Sequence, residues 1–230
     1  MTEERWKDDP LPVVLLALTG VTGLVDAVSF LGLGRIFTAN MTGNVVLLGF
    51  ALAGAPGVST SRSLTSLLAF LAGAALGGRL GESIAAASRR RWLVTGGVSE
   101  AVLLLAAALV SIGFDIGSAS PPSRLYAVIV LTAVAMGLRN ATVRRLAIPD
   151  LTTTVLTLTL TGVASESSFA GGNNPRIVRR IASVAAMLAG AAIGTLLLRR
   201  GLALPLAASG VCVLAATAAH GYLSRSGRFG

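Results

Sequence analysis

The sequence is poor in the residues on which disulfides, metal sites and soluble surfaces depend. It has one cysteine, Cys212, and one histidine, His220, so neither an intramolecular disulfide nor a zinc site built from these side chains is possible. Only 13% of its 230 residues are charged and 5% are aromatic, whereas an average soluble domain has roughly 25% charged residues. A soluble chain needs more polar side chains than this to cover its core, so the composition argues against a soluble enzyme.

The sequence also lacks the local motifs that mark most enzyme sites. It contains no Walker loop, no dinucleotide fingerprint, no metalloprotease helix and no Ser/His/Asp arrangement. We therefore predict that the protein is not an enzyme, and that it has no catalytic residue, no cofactor and no metal site.

Basic residues outnumber acidic ones, but they do not resemble a nucleic-acid surface. The 19 lysines and arginines against 10 acidic residues give a net charge of +9. The arginines lie singly or in short clusters at the ends of apolar segments, as at 89–91 and 144–145. Such clusters are typical of the cytoplasmic loops of membrane proteins. We predict the lipid bilayer and no nucleic acid as a partner, while the oligomeric state stays open.

What the chain does contain is a succession of apolar segments. Hydrophobic residues make up 53% of it, and its mean hydropathy is +0.78. A helix needs about 20 residues to cross roughly 30 Å of hydrocarbon. The first of these segments follows a hydrophilic stretch without a cleavage site, so we predict that it stays as an anchor. Six segments are long enough to span: Leu11–Leu33, Leu64–Ala87, Trp92–Phe114, Arg124–Leu146, Ile177–Leu198 and Leu202–Leu223.

Two further apolar segments are too short to cross a bilayer as straight helices. Ala39–Gly54 and Leu151–Ser165 have about 15 residues each, fewer than the roughly 20 required. If both cross, the 17 basic residues other than Arg79 and Arg139, which lie within spans, divide nine to eight between the two sides. If both enter and return, they divide twelve to five. The positive-inside rule favours the second topology, with six spans, two short re-entrant helices and both termini in the cytoplasm.

The chain repeats itself at about half its length. Three stretches recur in the same order, with offsets of 114, 119 and 117 residues: 23–27 as 137–141, 42–43 as 161–162, and 71–77 as 188–194. Three spans in each half would place the second half upside down relative to the first, as in many transporters. We therefore predict an all-α membrane protein with two inverted-topology repeats. The predicted divisions are a tail at 1–10, repeats at 11–114 and 115–223, and a tail at 224–230.

The densest polar cluster of the first half begins its short segment. Asn40, Thr42 and Asn44 lie there, and they are candidates either for binding a substrate or for capping and packing the short helix. Asp26 lies in the first span, about 10 Å from its end at Leu33. Asn44 would reach a similar depth on a segment that descends from the same side. We predict that Asp26 faces the protein interior and contacts the 40–44 segment.

The second half carries different polar side chains at the corresponding places. Asn140 stands where Asp26 stood. Thr154, Thr157 and Thr161 share one helical face, and they either line a polar path or bond to carbonyls of their own helix. These four residues complete the set of substrate-binding candidates.

A pair of opposite charges is expected inside the membrane. Glu100 and Arg139 lie on consecutive helices joined by one turn, and both are roughly 24–26 Å from that turn. Pairing would lower the free energy of burying either charge in the bilayer, so we predict an intramembrane ion pair, although both residues could instead reach an interface.

The stretch from Gly23 to Gly49, and within it Phe-Thr-Ala-Asn-Met-Thr-Gly-Asn at 37–44, resembles the YoaK-like family of bacterial membrane proteins. The order of apolar segments over nearly the whole chain fits the same family. The resemblance implies a multi-pass protein of the bacterial plasma membrane, a fold of about six spans, and a domain of unknown function. It implies no substrate and no established functional residues.

Two classes of function remain. The first is a transporter or channel-like protein for a small molecule or ion, with a polar site where the two short segments approach each other. The second is a non-transporting membrane protein with a structural, assembly or regulatory role, in which the polar residues only hold helices together. Transport predicts that Asp26, Asn40, Asn44 and the face of Thr157 surround one cavity, whereas the structural role predicts polar groups satisfied by one another.

Overall fold

A computed structural model describes residues 11–85, 88–146 and 156–223. Within these ranges the chain forms eight α-helices and one 3₁₀ turn, Ser168–Ala170. The β-structure described there is an isolated bridge between Asp115 and Ser120. Pro122 opens its helix at a position where a missing backbone N–H costs nothing, and Ser88 caps another through its side chain. The helices are α1 Leu11–Gly32, α2 Met41–Leu52, α3 Thr60–Ala85, α4 Arg89–Val110, α5 Pro122–Leu146, α6 Leu156–Ser165, α7 Ile177–Leu198 and α8 Ala203–Leu223.

Six of these helices are long and apolar enough to cross a membrane, namely α1, α3, α4, α5, α7 and α8. They match the six segments predicted from the sequence, with ends that differ by up to four residues. The largest differences are at α3, which begins at Thr60 where Leu64 was predicted, and at α4, which ends at Val110 where Phe114 was predicted. Large apolar side chains such as Leu109 and Leu188 are exposed on the outside of the bundle. Lipid, rather than water, suits a surface of this kind.

The two ends of the bundle are defined by two apolar clusters. Leu11 at the start of α1 packs with Val143 near the end of α5, at what we call the near end. Leu33, just after α1, packs with Leu125 at the start of α5 and Leu202 before α8, at the far end. Therefore α5 and α8 run antiparallel to α1.

Two further long helices lie parallel to a partner, α7 beside α1 and α3 beside α5, while α4 packs against α8 and α5. Ser61 Oγ lies 2.8 Å from Tyr126 Oη near the starts of α3 and α5, and Gly81 faces Arg145 near their ends. Gly32 of α1 faces Leu198 at the end of α7. Consequently α3 begins at the far end, where α1 finishes, and α7 begins at the near end, where α5 finishes.

The short helix α2 runs outwards, contrary to the expectation that it descends. The extended segment after α1 descends instead, and Phe37 of this segment stacks on Phe30 of α1 with ring centroids 5.1 Å apart. Ala39, two residues further, reaches the level of Asp26. Helix α2 then returns to the far end, where the following loop brings Gly57 beside Arg35.

Candidate functional site

Asp26 is buried in α1 and bound to the start of α2. The residue is only 7% exposed. The Oδ1 atom accepts a hydrogen bond of 3.2 Å from the backbone N–H of Ala39, and the N–H of Asn40 also bonds to the carboxylate. Asp26 therefore faces the interior and contacts the 40–44 segment, as the depth along α1 predicts.

Asn44 fixes the shape of the descending segment and does not reach a cavity. Its Nδ2 donates to the Phe37 carbonyl at 2.7 Å, and its Oδ1 accepts from the Phe37 N–H at 3.0 Å. Ser66 of α3 donates to the same carbonyl at 2.6 Å. Since Asn44 is 1% exposed, its place is structural: it supplies the hydrogen bonds that an extended backbone inside a membrane requires.

A cavity of about 490 Å³ lies between α1, the first turn of α2, the first described turn of α6, and α7. It brings together candidates from both halves of the chain. Asn40, which also caps α2 by accepting from the Gly43 N–H at 3.2 Å, lies on its wall beside Asp26. The described lining is mixed. Its polar residues are Thr22, Asp26, Asn40, Thr42 and Thr157, and the others are Phe37, Gly43, Val46, Leu47, Leu156 and Met187.

Two other second-half candidates bond to their own helices. Asn140 Nδ2 donates to the Met136 carbonyl at 2.8 Å, and Thr161 Oγ1 donates to the Thr157 carbonyl at 2.9 Å. Neither is among the residues lining the cavity. Thr154 lies outside the described residues. Of the second-half candidates in the described ranges, only Thr157 therefore borders the cavity.

Glu100 and Arg139 form an ion pair in the interior, as the geometry of their hairpin predicts. Each residue is 2% exposed. The guanidinium also donates to two acceptors on α1, the Leu18 carbonyl at 2.8 Å and Thr22 Oγ1 at 2.9 Å. Sequence reasoning missed these acceptors, although Thr22 stands one turn before Asp26 on the same helix.

A second, smaller cleft opens beside this pair toward the near end. Its volume is about 40 Å³, room for a few water molecules at most. Glu100, Arg139, Thr142, Thr217 and His220 supply its polar lining. The two clefts lie on opposite sides of the contact between Arg139 and Thr22. In the described parts of the chain no three His, Cys, Asp or Glu side chains converge to hold a metal ion.

The short helix α6 is held by an arginine that sequence reasoning did not single out. Arg180 of α7 is 3% exposed, donates to the Gly162 carbonyl at 2.7 Å and pairs with Glu166 at 3.0 Å. Arg180 lies two turns from Met187, which lines the cavity. It therefore anchors the near-end side of α6, and its charge is matched by Glu166.

Six membrane-length helices with two short helices beside a polar cavity define a multi-pass α-helical membrane protein. The chain belongs to the family described as "Protein of unknown function (DUF1275)", whose family model matches residues 14–219. This match confirms the family resemblance read from the 23–49 stretch.

A curated relative agrees with this membership. The chain is 34% identical over 157 residues to UPF0700 transmembrane protein YoaK of Bacillus subtilis (strain 168). The matched region is 67% of this chain and 65% of that protein, so the match spans slightly less than two thirds of the relative's length. No solved structure matches the chain.

Proposed function

We propose that the protein is a small-solute transporter and that the cavity beside Asp26 is its solute-binding site. The observation that carries the proposal is a buried carboxylate on the wall of a cavity to which both short helices contribute. An ionisable group inside a membrane is costly and marks a functional site by default. A cavity of about 490 Å³ also falls in the usual range for small-molecule sites.

Matching glycine contacts support a fold of two inverted repeats. A Cβ added to Gly23 would meet the backbone of Met187 and Ala191, and one added to Gly137 would meet Phe70 and Ala74. Gly137 lies 114 residues after Gly23, and Phe70 and Ala74 lie 117 residues before Met187 and Ala191. Each contact in the first half therefore has a counterpart in the second. Because α1 and α5 run in opposite directions, this equivalence relates the halves by an axis in the membrane plane.

The placement of helix ends supports re-entrant short helices. The chain leaves α1 and enters α3 at the far end, so the segment that contains α2 enters from that end and returns to it. The chain likewise leaves α5 and enters α7 at the near end. The larger share of the arginines at the helix ends, including Arg144 and Arg145 in the last turn of α5, lies at the near end. We therefore propose six spans in a bacterial plasma membrane with the near end and both termini cytoplasmic.

Single-cysteine labelling in intact cells tests this topology. In a background in which Cys212 is replaced, an impermeant thiol reagent is expected to label Ser61→Cys and Ser120→Cys and to miss Ser88→Cys. Permeabilised cells provide the control, since all three cysteines should then react. Labelling of Ser88→Cys and not of Ser61→Cys in intact cells would reject the six-span topology.

Uptake by reconstituted protein tests the transport function. In a screen of small solutes with proteoliposomes, we expect at least one solute whose uptake falls about tenfold or more in Asp26→Asn, because a lost charged hydrogen bond of roughly 1.5–3 kcal/mol corresponds to that factor. Asp115→Asn is the matched control, since Asp115 makes its hydrogen bonds within an exposed loop. Equal uptake by empty liposomes and by both variants would reject transport.

A non-transporting structural role is the second candidate. It is favoured by the polar side chains that are bonded to the protein's own backbone, above all Asn44, Asn140 and Thr161. On this proposal Asp26 would only fasten α2 to α1, and Asp26→Asn would lower stability without changing any flux. Neither candidate requires enzymatic activity.

A further inference from the structure

Asp26 forms no ion pair with any described residue. Asp26, Glu100 and Arg139 are the buried charged residues described on α1, α4 and α5, while α7 carries Arg179 and Arg180, the latter paired with Glu166. Arg139 is paired with Glu100 and bonded to α1 through Leu18 and Thr22. Arg139 is also the charged side chain that acts electrostatically on Asp26. Two carboxylates therefore share one guanidinium, and this group of three carries one net negative charge when all are ionised.

The start of α2 compensates part of that charge. The N–H groups of Ala39 and Asn40 point at the Asp26 carboxylate, and a helix N-terminus is equivalent to roughly half a positive charge. A net negative charge therefore remains at the carboxylate. In a membrane interior such a charge requires a cation, a proton or water beside it.

The walls of the cavity fit a cation that is partly apolar. The polar part of the lining offers the amide of Asn40 and the hydroxyls of Thr42 and Thr157, whose oxygens interact favourably with a positive charge and accept hydrogen bonds from an ammonium group that carries N–H bonds. The rest of the lining is apolar and includes the ring of Phe37, to whose face a cation is also attracted. A bare metal ion would leave the apolar walls without a partner.

We infer that the solute is a small organic cation and that it exchanges with a proton at Asp26; this rests on the proposed transport function. In the empty site the carboxyl group holds a proton. When the cation enters, the O–H bond breaks, the proton leaves to water, and the carboxylate pairs with the cation. Charge and atoms balance without any further reactant. Among the described residues that line the cavity, Asp26 is the only ionisable one. Arg139, whose charge acts on Asp26, stays with Glu100, and the buried Arg179 and Arg180 of α7 are not part of the lining.

A matched set of three probes tests the ligand class on the purified full chain in detergent. Choline is a cation, 3,3-dimethyl-1-butanol has the same shape without charge, and 3,3-dimethylbutanoate is an anion of similar size. Methylammonium and tetramethylammonium extend the cation set. We expect a cation at a hundredfold excess over its Kd to raise the unfolding midpoint by roughly 5–10 °C, and the uncharged alcohol and the anion to leave it unchanged.

The Asp26→Asn variant should lose the shift given by the cation, and Asp115→Asn should keep it. Stabilisation by the anion or by the alcohol to the same degree, or by none of the probes, would overturn the inference. Because Asp26→Asn can fail to fold, proton release is measured on the unaltered chain. Adding the stabilising cation to weakly buffered protein should release up to one proton per chain, and the cation affinity should fall as the pH is lowered, because protons compete for the carboxylate.

Proton exchange, cation binding and transport can each be rejected without the others. Binding of a cation without proton release would reject the exchange. Asp26-dependent uptake of a neutral or anionic solute would leave transport standing and reject the cation. Cation binding with proton release but no uptake into proteoliposomes would reject transport and leave the binding site standing.

Discussion

Replacing Arg139 by glutamine is expected to lower the free energy of unfolding by about 3–5 kcal/mol, the usual loss when a buried pair is broken by removing one partner. The substitution leaves Glu100 charged and 2% exposed, and it also removes the donor to Leu18 and Thr22. Glu100→Gln should cost less, because Arg139 keeps its two acceptors on α1. The double variant should recover part of the loss, since no buried charge is then stranded.

Thermal unfolding of the four proteins in one detergent measures these differences. The exposed pair Glu82 and Arg145, 3.9 Å apart with 79% and 40% of their side chains exposed, is the matched control. Neutralising either member should change stability by about 1 kcal/mol or less. Losses that simply add in the Glu100/Arg139 double variant would show that the pair contributes no coupling free energy.

Alanine at Gly23 or Gly137 should lower the free energy of unfolding nearly as much as Arg139→Gln does, and by similar amounts at the two positions. The added Cβ would meet the backbone of Met187 or Phe70, respectively. Backbone cannot move aside as a side chain can, so each parallel helix pair must separate. We expect a loss of about 3 kcal/mol at each position, the upper part of the usual range for overpacking.

Gly78 provides the control, because a Cβ there would meet nothing within 4 Å. Gly78→Ala should leave stability unchanged or raise it by roughly 0.5–1 kcal/mol through the better helix propensity of alanine. The measurement is thermal unfolding together with the yield of monodisperse protein. A severe loss at Gly23 beside a negligible one at Gly137 would contradict the equivalence of the two helix pairs.

The long helices were predictable because a bilayer fixes their length. A span needs about 20 apolar residues, and each of the six segments can be recognised in the sequence by that length alone. The direction of α2 was not predictable in this way. It depends on the left-handed turn at Gly34 and Arg35, with φ of 89° and 58°, which reverses the chain before the helix starts. The sequence marks a polar turn at these two residues, but it does not say which of the following residues descend.

The candidate site was also predictable only in part. The Glu100–Arg139 pair was predictable because both residues are counted from one turn and the rise per residue is constant. The contact between Asp26 and the start of α2 was predicted from the depth of Asp26 along α1, but the expected partner at that depth was Asn44. The extended segment after α1 brings the N–H groups of Ala39 and Asn40 there instead. The bonds from Arg139 to Leu18 and Thr22 join elements far apart in the chain, and no local count places α1 against α5. For Asn44 the sequence left substrate binding and helix packing open, and the structure bonds it to the backbone of Phe37. Backbone partners have no signature in the sequence, so the sequence alone could not decide between the two.

The matched glycine contacts also bear on how such a chain arose. A polypeptide equivalent to one half would have to place its own first helix beside the third helix of an oppositely oriented copy, because Gly23 meets α7 and Gly137 meets α3. Such an ancestor would have inserted in both directions and assembled as an antiparallel homodimer. On the proposed fold of two inverted repeats, fusion of the copies would have freed each to specialise, with an acid at Asp26 in the first and an amide at Asn140 in the second, and the arginines at the helix ends would have selected a single orientation.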